Sequence, residues 1–230
     1  MRRNGSERVT GNEGGTSQLC YFTSSSLLED GRTLIFIREQ EGQPNLFAAD
    51  LVSGEERQLT QNCEGILKSY VYFDGRAYTG FGKASVSVDT KRGMIYYIQG
   101  SDLCCVDHWG KQRRLARLPR GQVTAFTHVS ADGTKICVPT TDAAALECRE
   151  GEYFVDNKPN YDIDERVRRE HLHSYLRVYD TVTGRIIFRC AQKGTEEAEK
   201  TGLAMRCGSR TVILSSTTAS IKMGFLMSEG

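Results

Sequence analysis

The sequence lacks a long apolar run and has little proline. Its 230 residues include 4 prolines against 23 glycines, and the longest apolar candidates are Leu34–Ile37 and Met94–Ile98. A membrane-spanning helix needs about 18 or more apolar residues, so no such helix is expected. Arg2 and Arg3 are not followed by an apolar segment, so we expect neither a secretory nor a twin-arginine signal. The sequence predicts a globular, cytoplasmic protein with no membrane partner.

An excess of charge of one sign is also absent. Thirty basic and 29 acidic residues leave a formal net charge of +1. This balance supplies no overall field that would attract a polyanion, so nucleic acid is not an expected partner. An acidic ligand would have to be bound by a local group of basic residues. An acidic oligosaccharide is the partner considered below.

Motifs of several common protein classes are missing. The 8 cysteines form no C-x-x-C pair, and Cys104 and Cys105 are adjacent, so neither a zinc ribbon nor a disulfide framework is indicated. We expect reduced thiols. The chain has no G-x-x-x-x-G-K-[ST] phosphate loop and no G-x-S-x-G nucleophile turn. Kinase, nucleotide-hydrolase and serine-hydrolase functions are therefore not favoured.

A tandem repeat is the main positive signal. A strand, a glycine turn and a β-rich run occur in three stretches: Phe22–Phe36, Ala84–Tyr97 and Phe126–Val138. Each stretch is followed by a second hairpin, in which a strand-ending aspartate precedes a turn glycine: Asn45–Leu59, Asp102–Leu115 and Ser174–Phe188. Two successive hairpins make a four-stranded antiparallel unit. Tandem units of about 40–50 residues are typical of β-propeller blades, with a stacked β-sandwich as the alternative.

This pattern predicts an all-β fold, an incomplete β-propeller of about three blades, because propellers have about four to eight blades. We expect a disordered segment over 1–16, the partial propeller over 17–188, and an irregular or weakly ordered tail over 189–230 in which Thr211–Leu214 resembles a strand. Open blade edges would allow self-association.

Two insertions interrupt the repeats, and long insertions often carry ligand-binding residues. The first is Asn62–Gly82. The second lies in the third copy and contains a predicted helix, Ile163–His171, capped by Asp162 or Asp164. Three of its arginines alternate with glutamates and are expected on a solvated helix face: Arg166, Arg168 and Arg169.

A family resemblance rests on the first copy. Ser17–Phe36, followed by Gly42–Thr60, resembles the first blade of the oligogalacturonate lyases and is similar, less specifically, to the WD40-like propeller repeats of TolB-type proteins. The resemblance covers residues 17–188. It implies a seven-bladed propeller that cleaves short, pectin-derived oligogalacturonates by β-elimination, with a divalent metal, typically manganese, and a histidine base. The alternative is a non-catalytic TolB/WD40-like binding module.

In that family the metal ligands and the base come from later blades, so no catalytic residue or metal ligand is assigned to a position of this sequence. Three residues are instead candidates for substrate binding. Lys83, just ahead of the second copy's first strand, and Arg76, in the preceding insertion, could each pair with a carboxylate. His128 lies in the first strand of the third copy, a strand expected to line the central channel. An ordinary solvated or structural role is the alternative for each.

The other histidines have simpler interpretations. In an extended strand, His171 and His173 would lie on one side of the chain, an arrangement that suits a metal. No third ligand is evident nearby, so a solvated strand edge is the alternative. His108, beside Trp109, falls in a turn and is expected on the outer surface.

Overall fold

The described part of the chain forms β-sheets that are antiparallel except for one short parallel pairing. A computed structural model describes residues 15–63, 67–68, 80–124, 126–155, 158–193, 204–207 and 210–213. The first sheet runs in the order β1 (Gly15–Leu19), β2 (Thr33–Gln40), β3 (Gln43–Asp50) and β4 (Glu56–Gln58). Its central register pairs Thr33 with Asp50 and Gln40 with Gln43. The four antiparallel strands agree with the predicted unit, but the first strand precedes the predicted stretch Phe22–Phe36, in which Leu27 forms only an isolated bridge to Leu34.

The second sheet contains six strands, in the order β10-β9-β8-β6-β5 with β7 also paired to β8: β5 (Leu67–Lys68), β6 (Phe81–Gly82), β7 (Ser87–Asp89), β8 (Met94–Gln99), β9 (Asp102–Asp107) and β10 (Gln112–Arg117). A 3-10 turn at Lys83–Ser85 separates β6 from β7. The innermost strand of this blade is therefore split into two short pieces, both paired with β8.

The third sheet repeats this design around the second insertion. Its chain order is β11 (Gln122–Val123), β12 (His128–Val129), β13 (Lys135–Asp142), then β14 (Phe154–Val155), β15 (Lys158–Pro159) and α1 (Ile163–Arg169) in the insertion, then β16 (Ser174–Asp180) and β17 (Ile186–Lys193). β11 and β12 both pair with β13, so the inner strand is again split. A separate hairpin follows, β18 (Ala204–Cys207) with β19 (Arg210–Ile213).

Aspartate and glycine close the second hairpin of every blade, as predicted. The Asp50 carboxylate accepts hydrogen bonds from the amides of Val52 and Ser53, at 2.8 and 3.0 Å. Asp107 and Asp180 accept amide bonds in the same way. The turn glycines have left-handed backbone angles that other residues adopt at a cost: Gly54, Gly110 and Gly184.

The turn carboxylates predict acid sensitivity. The Arg32 guanidinium, with the turn amides, holds the pKa of Asp50 well below its ordinary value. A depressed pKa in the folded state contributes stability above the unfolded pKa of about 3.9, and that stability is lost as pH falls through the folded pKa. We expect Asp50→Asn to lower the urea midpoint at about pH 6 and to lower it by less near pH 2, where protonation of the unfolded chain has already removed part of this stability. An equal loss of the urea midpoint at the two pH values would contradict a depressed pKa for Asp50 in the folded protein.

Apolar side chains pack between the sheets. Ile37 of the first sheet shares a buried cluster with Ile95 and Tyr97 of the second. Because side chains alternate along a strand, the opposite face of β8 presents Tyr96 and Ile98 to a further cluster, which contains residues of the third sheet: Val129, Ile136, Val138 and Tyr179. The second sheet is therefore buried on both faces, as expected for a blade between two blades.

Hydrogen bonds join the inner strands of the second and third blades, and join the second blade to the segment that follows β1. The Ser24 hydroxyl accepts a bond from the Val88 amide, and the Ser87 hydroxyl accepts one from the Val129 amide, each at 2.8 Å. These serines satisfy strand amides that would otherwise be buried without a partner. The inner strands of the second and third blades consequently lie next to one another, and the segment around Ser24 lies next to β7.

Both insertions begin at the same end of the three blade sheets. Gln40, Gln99 and Asp142 mark this end, which we call the insertion end. β13 ends at the insertion end, where segment 143–173 follows it. β16 then begins at the same end and runs antiparallel to β13. The hairpin turns at Asp50, Asp107 and Asp180 lie at the opposite end, which we call the turn end.

The helix in the insertion confirms one prediction and corrects another. α1 begins after Asp162, whose carboxylate accepts bonds from the Asp164 and Glu165 amides. Arg168 and Arg169 are exposed, as predicted. The prediction for Arg166 was wrong, because its side chain is buried beneath the insertion rather than solvated. Residues 163–169, seven in all, form the only α-helix in the described ranges. A search of these ranges for a helix with the length and hydropathy of a membrane span finds none.

The chain boundaries and the cysteines can be compared with the sequence predictions. Strand pairing starts at Gly15 and, in the third sheet, continues to Lys193. Of the predicted disordered segment 1–16, residues 1–14 lie outside the described residues, and so does most of the predicted tail.

Seven of the eight cysteine side chains are described, and all seven are free thiols.

Candidate functional site

Lys83 lies at the insertion end, between the first two blades. It follows β6 and opens the 3-10 turn that splits the inner strand. Its Nζ donates a hydrogen bond to Gln18 Oε1 of β1 at 2.7 Å. Because this partner is a neutral amide, the contact positions the ammonium of Lys83 without neutralising its charge, and no carboxylate of the described residues forms an ion pair with it.

His128 lies elsewhere on the inner strands. It sits in β12 opposite Cys137, whereas its neighbours Val129 and Ile136 face the second sheet. Alternation therefore turns His128 away from the second sheet, and the residue is exposed. Partial desolvation of the imidazole lowers the pKa of His128, which favours the neutral ring. Arg76 lies outside the described residues, so its role stays a prediction.

A polar cluster that sequence reasoning missed occupies the third sheet near the insertion end. Gln122 Oε1 accepts bonds from Arg177 Nη1 at 2.7 Å and from Thr140 Oγ1 at 2.6 Å. The same amide donates from Nε2 to Asp142 Oδ1 at 2.7 Å. Asp142 in turn accepts from the His173 amide at 2.7 Å, and its Oδ2 lies 3.1 Å from His173 Nδ1. We call these five residues the Gln122 cluster.

The predicted histidine pair does not form. His171 has a left-handed backbone (φ 53°) in the turn after α1, so it is not in an extended strand with His173. His173 instead stacks on Tyr175, with ring centroids 5.9 Å apart and an interplanar angle of 6°. The prediction of two imidazoles on one side of a strand was wrong, because the helix end bends the chain between them.

The described residues do not fit a bound manganese ion. Within these residues no group of three or more His, Cys, Asp or Glu side chains could hold a metal. Asp142 and His173 supply two such side chains, but their neighbours in the Gln122 cluster are an amide, a hydroxyl and a guanidinium. We therefore derive no chemical step through a metal.

Thiol chemistry is not favoured either. Burial raises the pKa of Cys104 to about 11 and that of Cys137 to about 12. Both thiols stay protonated near neutral pH, and a protonated thiol is a weak nucleophile.

His108 lies where the sequence placed it, in the turn after β9. Its Nδ1 is 3.4 Å from the Gly93 carbonyl oxygen. The next residue, Trp109, is 67% exposed and carries the Arg57 guanidinium 4.8 Å from its ring centroid. This surface is at the turn end, away from Lys83 and the Gln122 cluster.

Comparison with known proteins supports the architecture. No family model and no curated protein matches the chain. Among solved structures, an oligogalacturonate lyase in complex with manganese aligns with a TM-score of 0.53 and 19% identity, over 76% of this chain and 41% of that one. The oligogalacturonate lyase of Vibrio parahaemolyticus aligns with a TM-score of 0.54 and 16% identity, over 79% and 43%. The fold is that of a β-propeller.

These similarities extend to the fold alone. The chain spans about two fifths of the length of the two lyases, 41% and 43%. TolB from Acinetobacter baumannii also aligns, with a TM-score of 0.40 and 18% identity, over 90% of this chain and 41% of that one. At such identities a shared fold does not carry a shared activity, so function must be argued from the side chains.

Proposed function

We propose that this chain is an oligogalacturonate lyase-like propeller that binds short acidic oligosaccharides at its insertion end. The observation that carries the proposal is the Lys83 ammonium, held 2.7 Å from the neutral Gln18 amide. A galacturonate unit carries one carboxylate, and a positioned cation that has no acidic partner among the described residues is suited to bind it. The fold shared with two oligogalacturonate lyases and the resemblance of the first blade support this ligand class.

Cleavage by β-elimination makes three demands. The sugar carboxylate must be neutralised, a base must remove the adjacent proton, and an acid must protonate the leaving oxygen. Lys83 can meet the first demand. We assign no residue of this chain to the base or to the acid, and this part of the proposal rests on the family resemblance.

Binding is tested by titrating the purified chain with digalacturonate in a calorimeter. We expect Lys83→Gln to weaken binding about tenfold, equivalent to about 1.4 kcal/mol, because the ammonium loses its carboxylate contact. Lys91→Gln is the matched control, since Lys91 is exposed in a turn-end loop. Equal affinity of the Lys83 and Lys91 variants would overturn the proposed site.

Catalysis needs a separate assay. The chain is incubated with digalacturonate and manganese, and the unsaturated product is followed by its ultraviolet absorbance. Absorbance above a metal-only control supports the lyase activity. Binding without product supports the second candidate function, a non-catalytic propeller module, which needs only the cationic groups at the insertion end.

A further inference from the structure

Three arginine side chains are buried in the described part of the chain, and one of them differs from the others. Arg38, 5% exposed, makes two hydrogen bonds to the Glu56 carboxylate, at 2.7 and 3.0 Å. Arg166, 1% exposed, forms an ion pair with Glu152. Arg177 is 4% exposed, yet no described carboxylate lies within ion-pair distance of it. A buried guanidinium without an acidic partner is costly unless an anion compensates it.

The surroundings of Arg177 leave part of its guanidinium available. Its Nη1 donates to Gln122 Oε1 and to Thr140 Oγ1. Its Nε and Nη2 have no acceptor among the residues that the structure describes. These two nitrogens lie along one edge of the planar group, the edge that binds the two oxygens of a carboxylate.

A second cation lies beside the first. The Tyr175 ring has the Arg177 guanidinium carbon 4.7 Å from its centroid and the Arg189 guanidinium carbon 5.1 Å from it. Arg189 is exposed and, like Arg177, has no described carboxylate partner. Burial lowers the pKa of Arg177, and the charge of Arg189 lowers it further. The two cations therefore repel each other in the absence of an anion.

The other titratable groups nearby do not neutralise this pair. The charge of Asp142, the acidic member of the Gln122 cluster, acts to raise the pKa of Arg177, but its two oxygens are bonded to Gln122 and His173 and not to the guanidinium. Tyr179, two residues along the same strand face, has a buried hydroxyl with no hydrogen-bond partner in the described residues. The strand thus offers unused donors next to a guanidinium that no described carboxylate contacts directly.

We propose that Arg177 and Arg189 form a binding site for the carboxylate of a small acidic ligand on the third sheet. Arg177 binds both carboxylate oxygens through Nε and Nη2, with Gln122 and Thr140 holding its orientation, and Arg189 covers the ligand from the exposed side. Gln122 and Thr140 connect the site to the insertion end, where Lys83 lies on the neighbouring blade. The identification of the ligand as a uronate rests on the proposed function, whereas the carboxylate site does not.

The direct test uses nuclear magnetic resonance of the 15N-labelled chain. Galacturonate is titrated while the arginine Nε–Hε signals are recorded, with galactose as the neutral match and inorganic phosphate as a second anion. The Arg177 signal is assigned by its loss in Arg177→Lys. We expect galacturonate to shift it and galactose to leave it in place. An unmoved Arg177 signal at the highest galacturonate concentration, or an equal shift with phosphate, would overturn the carboxylate site.

A variant at Arg189 supplies a second test, because this arginine is exposed and its replacement leaves the core unchanged. We expect Arg189→Gln to weaken galacturonate binding about tenfold. Arg185→Gln is the matched control, an exposed arginine at the turn end of the same hairpin, and it should leave the affinity unchanged. If Arg189→Gln has no effect while Lys83→Gln weakens digalacturonate binding, this inference fails and the proposed function stands. If Arg189→Gln weakens galacturonate binding while Lys83→Gln leaves digalacturonate binding unchanged, the carboxylate site stands and the proposed binding through Lys83 fails.

Discussion

Replacing Gly184 by alanine is expected to destabilise the protein by about 3 kcal/mol. Gly184 has a left-handed backbone (φ 70°), which costs an alanine about 1–2 kcal/mol. An added Cβ would also clash with the Leu115 carbonyl oxygen and would lie 2.9 Å from its carbon. These atoms belong to the backbone of β10, so no side chain can rotate away. Overpacking of this kind adds about 1–3 kcal/mol.

The first blade offers a matched control for this substitution. Gly54 occupies the same turn position and has a similar backbone angle (φ 74°), but an added Cβ would meet nothing within 4 Å. We expect Gly54→Ala to cost only the backbone strain, about 1–2 kcal/mol. Urea unfolding of the two variants separates the strain from the clash. Equal losses would show that the second and third blades do not approach each other as described.

The repeat could be predicted because its chemistry is local. An aspartate that accepts bonds from the two following turn amides, and a glycine that closes the turn, act within five residues of each other. Asp50 with Gly54 and Asp180 with Gly184 therefore specify hairpins without help from the rest of the chain. The same holds for Asp162, whose carboxylate caps the helix two and three residues further on.

The burial of individual charges could not be predicted in this way. Alternation places Tyr175, Arg177 and Tyr179 on one face of β16, and this signal was available in the sequence. It does not tell which face meets the second blade, because that depends on how whole sheets pack. A buried arginine therefore has the same local pattern as a solvated one until its neighbours are known.

Of the candidate site, the sequence indicated only the place of Lys83, because its position along the chain decides that, and its role in binding stays a prediction. Lys83 precedes an inner strand, and propeller geometry then brings it to the insertion end. The partners of the Gln122 cluster are up to 55 residues apart in sequence, as between Gln122 and Arg177. The split of the inner strand also escaped prediction, because pieces of two or three residues carry no periodic pattern.

Replacing Arg166 by alanine is expected to open the second insertion, at a cost of about 3 kcal/mol. The Arg166 guanidinium donates to the Glu147 carbonyl oxygen at 2.7 Å and stacks on the Tyr161 ring, 3.7 Å from its centroid. It also pairs with Glu152, and so joins the 3-10 turn, the β14–β15 hairpin and α1. Removing one partner of a buried ion pair costs about 3–5 kcal/mol, and the partial exposure of Glu152 favours the lower value.

Arg168→Ala is the control, since Arg168 lies in the same helix with an exposed side chain. Amide hydrogen exchange can report the insertion separately from the sheets. In Arg166→Ala we expect faster exchange at Leu172, whose amide donates to Val167, and unchanged exchange at Ile98, in the second sheet. Equal exchange at Leu172 in the two variants would contradict the structural role of Arg166. Because His173 follows this segment directly, opening it should also free the imidazole from Asp142, which couples the insertion to the Gln122 cluster.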